Sequence, residues 1–326
     1  YGALDTNTTG SNNTSVGYNA LTANTTGQNN IAVGGLAGDA ITTGSYNVAL
    51  GYNALSNATT ANSNTAVGES AMSVATGADN VAVGKNALIA ATTASQNTVV
   101  GVTAGDAITT GGNNTVMGHN AASVQTTAVG VAAFGKSAAQ NNTASYTVAM
   151  GYRALESNTS GGNNTAVGLE SLVSNTTGAN NTAVGKQALL SNTGDENVAV
   201  GSAALDGNTT GNQNVAIGFE ALSASTTADA LTAVGTRALL SNTTGANNVA
   251  VGRHALYSNA TGGQLTAVGV GAMALNTASW NTAMGYAALN SNTAGDSQTA
   301  FGASALSTNT TGAGNTALGR DTLGAN

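Results

Sequence analysis

The side chains that could bind a metal or carry out catalysis are few and widely spaced in this sequence. Its 326 residues include 14 acidic residues, 7 Lys or Arg, 2 His and no Cys. His119 and His254 each stand alone, without a second ligand at the close spacing that a zinc site uses. Asp195 and Glu196 are the only adjacent acids, whereas calcium takes about six to eight oxygen ligands. We therefore expect no metal and no cofactor.

Motifs for nucleophilic catalysis and phosphate binding are not expected either. Serine is plentiful, but no Gly-x-Ser-x-Gly elbow with supporting His and Asp occurs. The many glycines have strand-like spacing and no Gly-Lys-Thr follows them, which argues against a phosphate loop. The sequence therefore predicts no catalytic residues and no enzymatic activity.

Composition excludes two further classes of protein. The net charge is −7, and seven basic residues spread over the chain cannot form the basic surface that nucleic acid needs. No apolar run approaches the roughly 20 residues of a membrane span. The abundance of Asn, Thr, Ser and Gly is typical of disordered chains. However, 41% of the residues are hydrophobic and they recur at fixed positions, which favours a folded protein.

A short repeat organises the whole chain. Asn-Asn-Thr-Ala-Val-Gly at 163–168 returns at 180–185. We call its last residue the motif glycine and name each coil after it. The nineteen motif glycines define fourteen intervals of 17 residues and four of 16. They are Gly17, Gly34, Gly51, Gly68, Gly84, Gly101, Gly118, Gly135, Gly151, Gly168, Gly185, Gly201, Gly218, Gly235, Gly252, Gly269, Gly285, Gly302 and Gly319.

Each unit predicts two short strands and two turns. The three residues before the motif glycine alternate as Thr or Val, Ala, Val, which is the period of a strand. We expect the larger residues, such as Val33, Val67, Val167 and Val184, to fill the core and the alanines to face away from it. An Ala-Leu pair after the glycine predicts a second strand, and Asn-Thr-Thr-Gly predicts a turn.

Such units cannot fold alone, so they must stack. The sequence predicts an all-β fold, a parallel β-solenoid (β-roll) of about nineteen coils of 16–17 residues, in which residues 1–326 form one continuous array. The asparagine four residues before each motif glycine is expected to form an amide ladder. Irregular spacing around 119–150 predicts a kink, bulge or altered loop there. Both ends fall within a repeat, so we expect a longer array or ends covered by partners.

The repeat resembles two groups of known proteins. Val-Gly-x-x-Ala-Leu with an Asn-Thr-rich connection is similar to the head repeats of trimeric autotransporter adhesins. It is equally similar to the Gly-Asn-Asn-Thr-Ala-Val-Gly arrays of bacteriophage tail fibres and bacterial surface fibres. The resemblance implies a left-handed, homotrimeric β-roll that is extracellular, on a bacterial surface or a virion, and that can stack end to end in a longer fibre.

A second face of the strands is the candidate trimer interface. Alanine recurs at one strand position and no charged residue occurs there, which indicates that another surface approaches closely. The alternative is that these alanines fill space inside their own coil. The residues concerned each lie two before a motif glycine. They are Ala32, Ala49, Ala66, Ala82, Ala149, Ala166, Ala183, Ala199, Ala216 and Ala250.

Tyrosines are the candidate surface-binding residues. Tyr1, Tyr18, Tyr52, Tyr152 and Tyr286 follow the motif position directly. They predict either an exposed stripe that stacks on sugars or a partner, or packing between neighbouring coils.

The predicted function is structural: a rigid trimeric fibre or adhesin shaft for surface attachment or spacing. The alternatives are a module that binds a host-cell glycan, protein or matrix along the rod and, less favoured, an ice-binding solenoid. The ice-binding alternative is based on threonine pairs such as Thr25-Thr26.

Overall fold

A computed structural model describes residues 2–324 of the chain. It confirms an all-β parallel β-solenoid of about 18 coils of about 17 residues each. Each coil contributes one strand of three residues, which ends directly before the motif glycine. The chain divides into two compact units, Tyr1–Asn163 and Asn164–Asn326.

The strands of each unit follow one another in chain order. The described part of the first unit contains β1 (Thr14–Val16), β2 (Ile31–Val33), β3 (Val48–Leu50), β4 (Thr65–Val67), β5 (Val81–Val83), β6 (Thr98–Val100), β7 (Thr115–Met117), β8 (Ala132–Phe134) and β9 (Val148–Met150). That of the second contains β10 (Thr165–Val167), β11 (Thr182–Val184), β12 (Val198–Val200), β13 (Val215–Ile217), β14 (Thr232–Val234), β15 (Val249–Val251), β16 (Thr266–Val268), β17 (Thr282–Met284), β18 (Thr299–Phe301) and β19 (Thr316–Leu318).

Within each unit, every strand pairs in parallel with the equivalent strand of the next coil. In β10 and β11, for example, Thr165 lies opposite Thr182 and Ala166 opposite Ala183. The register is preserved from β7 through β9, across the irregular stretch 119–150. The irregular spacing of this stretch therefore does not interrupt the strand ladder.

The predicted orientation of the strands is wrong. The middle residue of nearly every strand is buried, while the two flanking residues are partly or fully exposed. Val33 is 40% exposed and Val184 37%. All ten alanines expected at a trimer interface are at most 1% exposed within the chain itself: Ala32, Ala49, Ala66, Ala82, Ala149, Ala166, Ala183, Ala199, Ala216 and Ala250.

The reason for this orientation is the narrow interior of a 17-residue coil. The leucine of the Ala-Leu pair is fully buried, as at Leu172 and Leu189, and it projects toward the strand. A Cβ on Gly105, which stands in this leucine position, would lie 3.4 Å from Cγ1 of the strand residue Val99. A strand residue opposite a leucine therefore has room for little more than a methyl group, and valine must face outward.

The Ala-Leu pair forms a turn, so the second strand predicted there is absent from the described residues. Leu172 and Leu189 have φ of 49° and 52°, a left-handed conformation that is uncommon for a residue with a branched side chain. The backbone still bonds between coils, since Leu189 N donates to Ala204 O at 3.0 Å. Burial of the leucine side chain offsets the conformational cost.

The motif glycine is required by close contact between coils. Gly168 has φ of +135°, and a Cβ there would lie 2.4 Å from the carbonyl oxygen of Gly185 in the next coil. No side chain fits at that distance. The same approach of Gly185 to Gly201 explains why the repeat preserves this residue.

The predicted asparagine ladder is confirmed. Asn181 N donates to Asn164 Oδ1 at 2.9 Å, and Asn197 N donates to Asn181 Oδ1 at 2.9 Å. The Asn181 Nδ2 group also donates to Gly194 O at 2.9 Å. Each buried amide thus bonds a neighbouring coil and a turn carbonyl, which satisfies backbone groups that strand pairing leaves unpaired.

Two coils carry an exchanged core. Residues 37–44 and 104–111 share the sequence Ala-Gly-Asp-Ala-Ile-Thr-Thr-Gly. In the first copy Gly38 replaces the inward leucine, and Ile41 takes the place that asparagine occupies in many other coils. A Cβ on Gly38 would lie 2.9 Å from Ile41 Cδ1. The isoleucine, whose N–H donates to Gly38 O at 3.1 Å, therefore fills the space of the missing leucine from the same turn.

The corrected orientation predicts opposite effects for adjacent residues. Ala183→Glu places a charge in the dry interior, where no partner is available, and should abolish cooperative folding of the second unit. Val184→Glu, one residue along, should change the melting temperature by only a few degrees in a dissociated chain, because that side chain faces outward. Circular dichroism melts compare the two, and equal losses would contradict the orientation.

The exchanged core predicts strong coupling between two substitutions. Gly38→Leu alone overpacks against Ile41 and should destabilise the chain by about 1–3 kcal/mol. Ile41→Asn alone leaves a cavity and should cost about 2–4 kcal/mol. The double variant recreates the Leu21 and Asn24 pair, both of which are fully buried in the preceding coil, and should recover most of the loss. Urea unfolding measures the coupling; additive losses would contradict the exchange.

Candidate functional site: the outward strand face and its aromatic rims

In each unit the outward face of the strands has a uniform composition. We define it by the first and third residues of each strand, β1 to β19. These positions hold only Thr, Val, Ile, Leu, Met, Phe and one Ala, with no charged residue in either unit. Their exposed members include Val16 at 57%, Met117 at 42% and Ile217 at 40%. Soluble monomers rarely present continuous apolar surfaces of this kind.

The tyrosines predicted as surface-binding residues are exposed at one rim of this face. The exposed fractions are 62% for Tyr18, 58% for Tyr52, 46% for Tyr152 and 67% for Tyr286. Tyr1 lies outside the described residues. These four tyrosines do not stack on one another, because no two of them lie on successive coils.

Three further aromatic residues occupy the other rim. Tyr46, Tyr146 and Trp280 each lie five residues before a motif glycine and are 64%, 67% and 62% exposed. Sequence reasoning missed them because it considered only residues that follow the glycine. Their signal is nevertheless in the sequence, since each lies six residues before a tyrosine of the first rim.

The two rims combine into aromatic rows on three coils. In the Gly51 coil the exposed residues Tyr46 and Tyr52 flank the outward residues of β3, while Asn47 and Ala49 between them are buried. The Gly151 coil has Tyr146 and Tyr152 in the same places, and the Gly285 coil has Trp280 and Tyr286. Across one coil the row therefore has an aromatic residue at each end. Between them lie the first strand residue, which is aliphatic or Thr, and the third, which is a large apolar residue.

The three aromatic residues that precede the strands adopt a costly backbone conformation. Tyr46, Tyr146 and Trp280 have φ of 62°, 57° and 64°, in a left-handed region where asparagine and glycine are favoured over bulky residues. Asn29 holds the same position in another coil at φ 57°. The conformation belongs to the repeat, since Ser63, Gln96 and Glu196 adopt φ of 58°, 60° and 59° at the same position.

Some packing between coils accompanies the exposure, as the alternative interpretation of the tyrosines expected. Tyr146 covers Gly130, where an added Cβ would lie 3.0 Å from the ring. The Lys136 ammonium lies 6.0 Å from the centre of the Tyr152 ring, within the range of a cation–π contact. The rings therefore rest on the preceding coil with one side and face solvent with the other.

Many charged side chains lie in and next to the turn after the motif glycine, whereas Asp79, Glu196 and Asp229 lie before the strand. Lys85 and Glu69 form an ion pair at 2.9 Å, and Arg237 Nε donates to Glu220 Oε2 at 2.7 Å. The Glu220 partner raises the pKa of Arg237. These exposed pairs contribute little stability individually, but they show that the charged residues are kept away from the outward strand face.

A match of the sequence to the P-loop motif has no phosphate-binding geometry. Residues 130–137 read Gly-Val-Ala-Ala-Phe-Gly-Lys-Ser, which fits the spacing of a P-loop. In a P-loop the residues between the glycines form a loop that leads into a helix, but here they contain β8, and Ser137 is 7% exposed in the following turn. The match arises from the repeat and forms no phosphate cradle.

Residues 2–324 contain neither a metal-binding cluster nor a membrane-spanning helix. Within that range no three His, Asp or Glu side chains lie close enough together to hold a metal ion. His119 and His254 belong to different units. Over the same range no helix is both long and apolar enough to cross a membrane.

Three aspartates are half-buried in the coil wall. Burial raises the pKa of the Asp39, Asp106 and Asp206 carboxyls, and neighbouring backbone N–H groups oppose this only in part. Nearby Glu220 raises the pKa of Asp206 further. The Oδ1 atom of each carboxyl is buried and accepts no hydrogen bond from the described residues.

Comparison with known proteins identifies no family. No protein-family model matches the chain, and a search of curated proteins finds no relative. The chain is a parallel β-solenoid repeat protein of about 18 turns.

The half-buried aspartates predict a pH-dependent stability. A raised pKa means that the folded state binds the proton more tightly than the unfolded state. The stabilisation is therefore present below the ordinary carboxyl pKa and is lost as pH rises through the folded value. Asp39→Asn should raise the melting temperature at pH 7 but not at pH 3. Asp79→Asn, at an exposed position, is the control, and an equal gain there would contradict burial as the cause.

Proposed function

We propose that this chain is the shaft of an extracellular fibre or adhesin, a rigid homotrimeric rod that spaces or attaches surfaces and has no enzymatic activity. The observation that carries the proposal is the uncharged outward face of the strands. The resemblance of the repeat to trimeric adhesin heads and to phage and bacterial fibre arrays supports the location, on a bacterial surface or a virion, and supports stacking into longer fibres.

Copies of the same chain are the occupants that fit this face best. The repeat presents the same Thr or Val and the same large aliphatic residue at about 4.8 Å intervals along the coils. A partner with the same period matches that spacing at every coil. Closed symmetric assemblies are the usual arrangement of identical chains, and a stable interface needs about 800 Å² per partner. The number three comes from the resemblance.

Because the valines face outward, the proposed trimer interface lies on the outward strand face and not on the alanines. The alanines are already covered by leucines of their own coil and cannot contact another chain. The residues on either side of them, such as Val184 and Val200, are 37% exposed. Burying these side chains against a partner would contribute about 25 cal/mol for each Å² of apolar surface removed from water.

Recognition of a carbohydrate or matrix protein along the rod is the second candidate function. The aromatic rows of the Gly51, Gly151 and Gly285 coils favour it, because exposed rings are the side chains that stack on sugar faces. Host-cell glycans or proteins are the corresponding partners.

Ice binding receives less support than either. An ice-ordering array needs free threonine hydroxyls, but Thr25 Oγ1 donates to Thr42 O at 3.2 Å. Thr243 Oγ1 similarly donates to Ala260 O at 3.0 Å. The first threonine of these turns therefore uses its hydroxyl to join neighbouring coils.

The interface predicts a charge-sensitive assembly. Analytical ultracentrifugation of the wild type should give about three times the 31.3 kDa chain mass. The triple variant Val184→Lys, Val200→Lys, Ile217→Lys should sediment as a folded monomer, because three charges per chain would be buried in the interface.

The matched control adds the same charge elsewhere in the same unit. Thr177→Lys, Thr210→Lys, Thr244→Lys places three lysines at exposed turn residues and should leave the trimer intact. A folded wild-type monomer at nanomolar concentration would refute the trimer. Normal assembly of the valine and isoleucine variant would refute this interface.

A further inference from the structure

A recess on the surface of the second unit combines a concave shape with polar side chains. Its volume is about 220 Å³, and its lining includes Arg253, His254, Gly271, Ala274, Tyr286 and Asn290. These residues come from the turns that follow the motif glycines of three successive coils, Gly252, Gly269 and Gly285. The recess is smaller than the roughly 300–1,000 Å³ of sites for drug-sized ligands. It therefore suits a single sugar ring.

The recess exists because one side chain is missing. Gly271 lies two residues after its motif glycine, a position that other coils fill with residues such as Asn53, Asn86 and Arg237. A Cβ on Gly271 would have only Asn290 Nδ2 within 4 Å, at 3.7 Å. Ala274 leaves further space where Tyr257 stands in the preceding coil.

The Arg253 guanidinium of the recess is available to a ligand. Arg253 is exposed, and no ion pair joins it to an acid anywhere in residues 2–324, in contrast to Arg237, whose Nε donates to Glu220 at 2.7 Å. His254 packs edge-on against the Tyr257 ring at 5.0 Å. In a chain with a net charge of −7, a corner that combines Arg and His without an acid is unusual.

The remaining walls supply apolar contact and hydrogen bonding. Tyr286 is 67% exposed, so most of its ring surface is free to stack on a sugar. Asn290 is held in place because its Nδ2 donates to Gly271 O at 2.9 Å. This bond leaves the amide oxygen of Asn290 as a hydrogen-bond acceptor for a hydroxyl group.

We propose that this recess binds one pyranose ring that carries a carboxylate, as in a uronic or sialic acid unit of a surface glycan. The Arg253 guanidinium binds the carboxylate through two parallel hydrogen bonds, Tyr286 stacks on the ring, and Asn290 accepts a hydroxyl. The site lies within one chain. It specifies a ligand class for the carbohydrate-binding candidate and does not depend on the trimer.

The test uses saturation-transfer NMR on the full chain with glucuronic acid and N-acetylneuraminic acid as probes. At least one of them should bind with a dissociation constant on the order of 1 mM, as expected for a small ligand in a shallow site. Glucose, which lacks the carboxylate, should bind at least about tenfold more weakly because the charge-assisted hydrogen bonds to Arg253 are lost.

Gly271→Asn is the decisive variant because it fills the recess without disturbing the fold. Asparagine occupies this position at Asn53 and Asn86, with φ of 60° and 57°, and Gly271 itself has φ of +67°. Gly271→Asn and Arg253→Gln should each weaken binding at least about tenfold, with unchanged melting temperature and sedimentation.

Tyr152→Ala is the matched control for Tyr286→Ala. Tyr152 holds the equivalent position in its coil, but Ser137 stands where Gly271 stands and Glu156 where Asn290 stands. Binding should be lost in Tyr286→Ala and retained in Tyr152→Ala. Absence of binding by both acidic sugars, equal binding of glucose, full displacement by equimolar sulfate, or undiminished binding in Gly271→Asn would overturn the proposal. Loss of the trimer would leave it standing.

Discussion

The close stacking of backbone on backbone from coil to coil is the constraint on which the rest of the structure depends. The motif glycine of one coil lies so near the carbonyl of the next that a Cβ on Gly168 would be 2.4 Å from Gly185 O. Seventeen residues then enclose an interior only wide enough for one leucine, one methyl group and the amides of the asparagine ladder. A strand side chain larger than a methyl group must therefore point away from the interior.

This constraint accounts for the unusual distribution of apolar residues. Val, Met and Phe at the third strand position cannot enter the interior and are displayed outward, where Met117 is 42% exposed. Because the stacked coils align these residues in rows, the cost of exposure accumulates over each unit. Such a surface is stable when it is covered. The same repeat that builds the fold therefore also places rows of apolar side chains on the surface of each unit.

Much of the fold could be predicted from the sequence because the period itself carries the information. Repetition every 16–17 residues in a stacked solenoid places equivalent strands in parallel and in register. Asn181 could be placed in a ladder because residues at the same position of successive coils lie above one another. The orientation of the strand could not be predicted. A Thr-Ala-Val alternation is compatible with either face inward, and only the volume of Leu189 across the coil decides in favour of Ala183. The left-handed conformation of that leucine likewise depends on its burial.

The candidate site could not be predicted from one repeat unit, because it depends on differences between coils. Trp280 and Tyr286 are separated by six residues, yet their joint exposure depends on the burial of Asn281 and Ala283 between them. The recess is harder still to predict, because Arg253, Gly271 and Asn290 are distributed over three coils and only stacking brings them together. Positions outside the interior tolerate such changes without loss of the ladder. Function in a solenoid of this kind is therefore expected where one outward position departs from its neighbours, as Gly271 does.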